Sequence, residues 1–129
     1  MMEKSYGILA IKDDKILVIR QVSGDHWTFC KGHKSRFKSE SNRETAIREL
    51  KEETNLDIMY FINDQTYVQE YPITRKGKPY IKSVCFFLAR VTGDLVLQKS
   101  EVSDAKWLSR SEAELLLTYD EDKDILRQI

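Results

Sequence analysis

Hydrophobic residues recur along this chain with two different periods, and the change of period locates most of its elements. Tyr6–Ile11 and Lys15–Arg20 are short apolar, β-rich runs joined by Lys12-Asp13-Asp14, which predicts a hairpin. Trp27–Cys30 predicts a third short strand entering a polar loop, Lys31–Ser39. From Ser41 the spacing turns helical: Ala46, Ile47 and Leu50 form an apolar face, and Ser41 with Glu44 three residues on is a capping-box signature. Asn55 after Thr54 suits a left-handed helix stop. Leu56–Phe61 and Thr66–Tyr71 then predict two strands. A turn at Arg75-Lys76-Gly77-Lys78 leads to Tyr80–Val91, the longest strand candidate. Leu95–Leu97 and Asp104–Leu108 predict short β segments. Ser109 or Ser111 is placed to cap a helix through Leu117, and Glu121–Gln128 adds a helical turn or two. Strands around one central helix, without repeat or linker, predict a single α+β or α/β sandwich domain over residues 1–129.

Composition changes this picture little. The 129 residues are 41% hydrophobic and 33% charged, as in an ordinary globular protein. Lys+Arg and Asp+Glu are both 21, so no global field favours DNA or a membrane surface. No apolar run approaches the roughly 20 residues that span a bilayer, and Met1–Tyr6 does not read as a secretory leader. Cys30 and Cys85 lack metal-ligand spacing and are expected to be reduced. A cytoplasmic protein is the expectation; the oligomeric state stays open.

Local charge says more. Lys31, His33, Lys34, Arg36 and Lys38 form a basic segment, followed by the acid-rich stretch Glu40–Glu53. Glu49, Glu52 and Glu53 stand at i, i+3 and i+4, so a helix brings their carboxylates onto one side, away from the apolar face. Like charges so placed repel unless a cation lies between them, and Mg²⁺, a hard ion bound by oxygen, is the natural candidate. Without further pattern, the same run reads first as a solvated face laced with ion pairs.

The wider segment supplies the pattern. Glu40, seven residues, then Arg48-Glu49-Leu50-x-Glu52-Glu53-x-Asn55-Leu56 resembles the Nudix box, G-x5-E-x7-R-E-U-x-E-E-x-G-U with U aliphatic. Two positions depart from it. Gly32 precedes Glu40 by seven intervening residues instead of five, and Asn55 replaces the last glycine. The resemblance implies a Nudix-type α/β/α sandwich with a mixed sheet and a central catalytic helix. It also implies a pyrophosphohydrolase using Mg²⁺, with Mn²⁺ a possible substitute. Glu49, Glu52 and Glu53 would be metal ligands, with the Gly32 carbonyl as a further one. Arg48 would orient a box glutamate, and Glu40 would help to fix the loop. Glu53 is one candidate for the general base; Glu101, in Ser100-Glu101-Val102, is the other.

Ahead of the box, Trp27-Thr28-Phe29-Cys30-Lys31-Gly32-His33 resembles the W-x-F-P-K-G-H run of Nudix diadenosine tetraphosphate hydrolases, with Cys30 in place of proline. The resemblance makes Lys31 and His33 phosphate-binding candidates. Trp27 and Phe29 suit core packing as well. It also leads to a tyrosine downstream that stacks on a base: Tyr71 first, Tyr80 next, both of which also fit strand packing. Arg75, Lys76 and Lys78 are placed to hold far phosphates or merely to decorate a turn. Asymmetric cleavage of diadenosine tetraphosphate to ATP and AMP is the leading expectation. A 5′-triphosphorylated RNA end or a damaged nucleoside triphosphate is the alternative substrate, and a non-catalytic nucleotide sensor is the reading from another class.

Overall fold

A computed structural model describes residues 1–129. Its order is β1 (Met2–Lys12), β2 (Lys15–Gln21), β3 (Trp27–Thr28), β4 (Cys30–Gly32), α1 (Asn42–Thr54), β5 (Asp57–Arg75), β6 (Lys78–Thr92), β7 (Val102–Leu108), α2 (Arg110–Leu116) and α3 (Asp120–Gln128). The seven strands form one mixed sheet: β3-β2-β1-β6-β5, with β4 also paired to β1 and β7 to β2. β1 and β6 run parallel, and the other pairs are antiparallel.

The sheet has a helical layer on each face, which the alternation of β1 and β6 requires. Tyr6, Ile8 and Ala10 of β1 join Phe87, Ala89 and Val91 of β6 against Ala46 and Leu50 of α1. The intervening Leu9, Val84, Phe86 and Leu88 pack with Ala113, Leu117, Ile125 and Leu126 around α2 and α3. Ser5 through Ala10 are therefore all buried, as expected of a central strand covered on both sides. Two-residue turns close the β1–β2 and β5–β6 hairpins with positive φ at Asp13, Asp14, Lys76 and Gly77, matching the twist of the paired strands.

Several boundaries differ from those read in the sequence. Trp27–Cys30 is two strands, because the chain changes partner at Phe29: β3 pairs with β2, and β4 with β1. Leu56–Phe61 and Thr66–Tyr71 belong to one 19-residue strand, β5, whose register slips between Phe61 and Thr66 where a bulge absorbs the polar residues. Leu95–Leu97 is not a strand; main-chain bonds from Val96 to Thr54 and from Gln98 to Glu53 tie it to the end of α1. Helix α1 ends as expected: Ser41 and Glu44 form a complete capping box, and Asn55 adopts φ 69°.

Candidate active site

The carboxylates of α1 sit where the helix crosses β4. Gly32 ends that strand, and a Cβ there would lie 2.1 Å from the Glu49 carboxyl carbon. Only glycine lets the main chain approach this carboxylate so closely. Glu53 was expected on the side of α1 away from the apolar face. Instead it lies on the packed side, 6% exposed, one turn from fully buried Leu50. The Cys30 thiol donates to Glu53 Oε2 at 2.9 Å. Burial, reinforced by the nearby charges of Glu49 and Glu101, pushes the Glu53 carboxyl up to about 7 despite that hydrogen bond. Burial also raises Glu49. Burial and Glu53 raise the Cys30 thiol well above its usual range, so it stays neutral.

Arg48 organises the other acids. Its Nε donates to Glu40 Oε2 at 2.7 Å, and its Nη1 reaches Glu49 Oε1 and Glu52 Oε1, both at 3.1 Å. Its Nη2 donates to the His33 carbonyl at 2.7 Å. Glu40 in turn accepts from the Ser35 main chain at 2.9 Å and is held at about 2, chiefly by Arg48. The longer connection between Gly32 and Glu40 is thus pinned at both ends, and between them the chain bends outward at Arg36–Lys38, with Phe37 96% exposed. Glu40 fixes the loop, as anticipated.

In these side-chain positions the acids do not close on one point: Arg48 holds Glu49 and Glu52, and Cys30 holds Glu53. Their chemistry nevertheless fits a hard divalent ion. Three carboxylates and the Gly32 carbonyl border one cleft, and two of the carboxyls are raised by burial and mutual repulsion that a cation would relieve.

That cleft, about 590 Å³, is lined by polar residues only. Lys31, Gly32, His33, Glu49, Glu52, Glu53 and Glu101 all border it. Arg75, Lys82, Gln21 and Gln98 join them. Of these, Lys82 carried a readable signal that was missed: a lysine interrupting the apolar run Tyr80–Val91. A second hollow of about 410 Å³ adjoins the first through shared Gln21 and Lys31, and Tyr71, Tyr119 and His26 line it. The His26 and Tyr119 rings lie 5.0 Å apart, while a hydrogen bond of 3.0 Å joins Gln69 to buried Asp122 alongside. Tyr119 and His26 were not visible as site residues, because α3 and the β2–β3 turn bring them there from distant sequence. Tyr80 does not reach either hollow. It lies with Lys76 and Lys78 in a groove at the β5–β6 turn, because it stands at the turn end of β6, ahead of the buried run Phe86–Ala89. Phe29 is core, edge-on to Phe86 at 5.7 Å, and Trp27 packs on the same cluster.

Comparison with known proteins agrees with this geometry. The family model described as NUDIX domain matches residues 1–129. The rat bis(5′-nucleosyl)-tetraphosphatase (asymmetrical) is 33% identical over 105 residues, 80% of this chain and 69% of that protein. The mRNA-decapping enzyme subunit 2 of Arabidopsis thaliana is 31% identical over 97 residues, 73% of this chain but 24% of that protein. Among solved structures, a binary complex of the C. elegans Ap4A hydrolase superposes with a TM-score of 0.73 at 28% identity, covering 97% of this chain and 93% of that one. With the box acids in register on α1 and the fold matched throughout, the chain belongs to the Nudix family and is a hydrolase of phosphoric anhydride bonds.

Proposed function

We propose that this enzyme hydrolyses diadenosine tetraphosphate asymmetrically, to ATP and AMP, with Mg²⁺ and with Mn²⁺ as a possible substitute. The observation that carries the reading is the adjacency of two unlike hollows. A polar cleft with acids and cations shares Gln21 and Lys31 with a pocket flanked by Tyr71, Tyr119 and His26. A polyphosphate with a nucleoside at its end has this division of charge and aromatic surface. The similarity to the rat tetraphosphatase supports the same substrate.

Glu49, Glu52, Glu53 and the Gly32 carbonyl would hold the divalent ions, which supply charge neutralisation for the phosphates and activation of water. Lys31, Arg75 and Lys82 meet phosphate oxygens with charge-assisted hydrogen bonds. Tyr71 and Tyr119 give a purine flat apolar surface, and Gln69 and Asp122 offer polar edges beside it. A carboxylate takes the proton as water attacks phosphorus. Glu53, buried at the edge of the cleft, is one candidate for that base. Glu101, bordering the same cleft, is the other candidate for that base. Arg48 holds Glu49 and Glu52 in place.

Product analysis tests this. Purified protein with Mg²⁺ should release ATP and AMP in equal amounts, and ADP alone would refute the asymmetric reading. Glu52→Gln combined with Glu53→Gln should lower kcat/KM by at least about a hundredfold, since developing phosphate charge loses its counter-ions. A second reading, action on a 5′-triphosphorylated RNA end, is supported by the likeness to the decapping subunit. Rates measured side by side on both substrates decide between them.

A further inference from the structure

Cations from two other strands, and the His33 ring from the loop after β4, converge on the Glu3 carboxylate, which has no part in the reaction as described. Glu3 and Lys82 are register partners in the parallel β1–β6 pair. Lys82 Nζ donates to Glu3 Oε1 at 3.0 Å and to Ser5 Oγ at 2.7 Å. From the end of β5, Arg75 grips the same carboxylate with both arms of its fork, Nε to Oε2 and Nη2 to Oε1, each at 2.6 Å. His33 Nε2 lies 3.7 Å from Oε1, while its Nδ1 contacts the Lys4 carbonyl at 3.2 Å. Arg75, Lys82, His33 and Ser5 all border the polar cleft.

Donor capacity remains after these bonds. A guanidinium has five N–H groups and an ammonium three. Glu3 takes two from Arg75, and Glu3 with Ser5 takes two from Lys82. Arg75 therefore keeps three donors and Lys82 one, none with a protein acceptor. The two cations also differ in freedom. The Lys82 side chain is 8% exposed, but that of Arg75 is 57% exposed and would sample many rotamers without a fixed partner.

We propose that Glu3 is a positioning residue: it aligns Arg75 with Lys82 as a preformed two-point clamp for the substrate's phosphate chain. The inference rests on the polyphosphate reading of the cleft. It differs from a plain charge argument in sign. Neutralising Glu3 leaves two cations unpaired, so electrostatics alone would tighten binding of a polyanion. Loss of alignment weakens it, because the ordering cost then falls on the binding step.

The experiment is calorimetric binding of inorganic tripolyphosphate in Mg²⁺ to the intact protein, its Glu3→Gln and Arg75→Lys variants, and the double variant. Glu3→Gln should weaken binding on the order of tenfold. Arg75→Lys, at the exposed strand end, keeps the charge but loses the fork and should weaken it similarly. The double variant should bind better than the product of the two single factors, because both act through one clamp. With hydrolysed substrate, KM should rise while kcat changes less than about twofold. Unchanged or tighter binding by Glu3→Gln, wild-type binding by Arg75→Lys, strictly multiplicative losses, or a fall in kcat with KM unchanged would each overturn the proposal. Tripolyphosphate binding needs no nucleotide cleavage. Failure to cleave diadenosine tetraphosphate would therefore count against the proposed function while leaving the clamp measurable.

Discussion

A methyl group at Gly32 would fall 2.1 Å from the carboxyl carbon of Glu49, so the smallest possible side chain is already too large there. Gly32→Ala should displace Glu49 and lower kcat by at least tenfold, the scale expected when a charge-stabilising group is moved. The melting temperature should move by only a few degrees, because the residue is partly exposed at a strand end. Activity and thermal melting on the same preparation check both parts. Gly32 was legible as a box residue despite the longer spacing to Glu40, since the register of Arg48 and the helix acids does not depend on that loop. The Cys30–Glu53 bond was not legible. Twenty-three residues separate the two, and only the pairing of β4 with β1, beneath α1, brings the thiol to the carboxylate.

Helix α1 illustrates how much an element can announce about itself. Its start, stop and acidic spacing are local features: the Ser41–Glu44 box closes with bonds of 2.8 and 3.1 Å, and Asn55 supplies the left-handed stop. Ser41→Ala leaves the Glu44 amide without its side-chain partner and should cost about 1 kcal/mol, read as a lower midpoint in urea with unchanged slope. Strand limits were harder. β5 contains the polar stretch Asn63-Asp64-Gln65, which in isolation reads as a break between strands. Its side of the hairpin is carried through by the unbroken partner β6, with the mismatch absorbed as a bulge. Trp27–Cys30 erred oppositely: one local β signal is shared between two sheet partners.

For the molecule as a whole, the Glu3 cluster links stability to pH. Arg75's hydrogen bonds, with help from Lys82 and against a burial penalty, hold the Glu3 carboxyl at about 2 instead of the usual 4.5. The folded carboxyl therefore stays charged in acid after its unfolded counterpart has taken up a proton. Its stabilising contribution is complete above 4.5 and is lost as pH falls through that value towards 2. Glu3→Gln should flatten the acid limb of stability in this window, which urea unfolding followed by circular dichroism at a series of pH values would detect. The sequence by itself determined the α+β class, the helix with its caps, and the acids carried on it, because period, capping and i, i+3, i+4 spacing act within a few residues. Tertiary structure alone decided that Glu53 is buried, that Tyr119 and His26 join Tyr71 while Tyr80 does not, and that Glu3 gathers Arg75 and Lys82. Those juxtapositions depend on which strands pair and in what register, and that choice is made by the burial of both faces of the sheet at once.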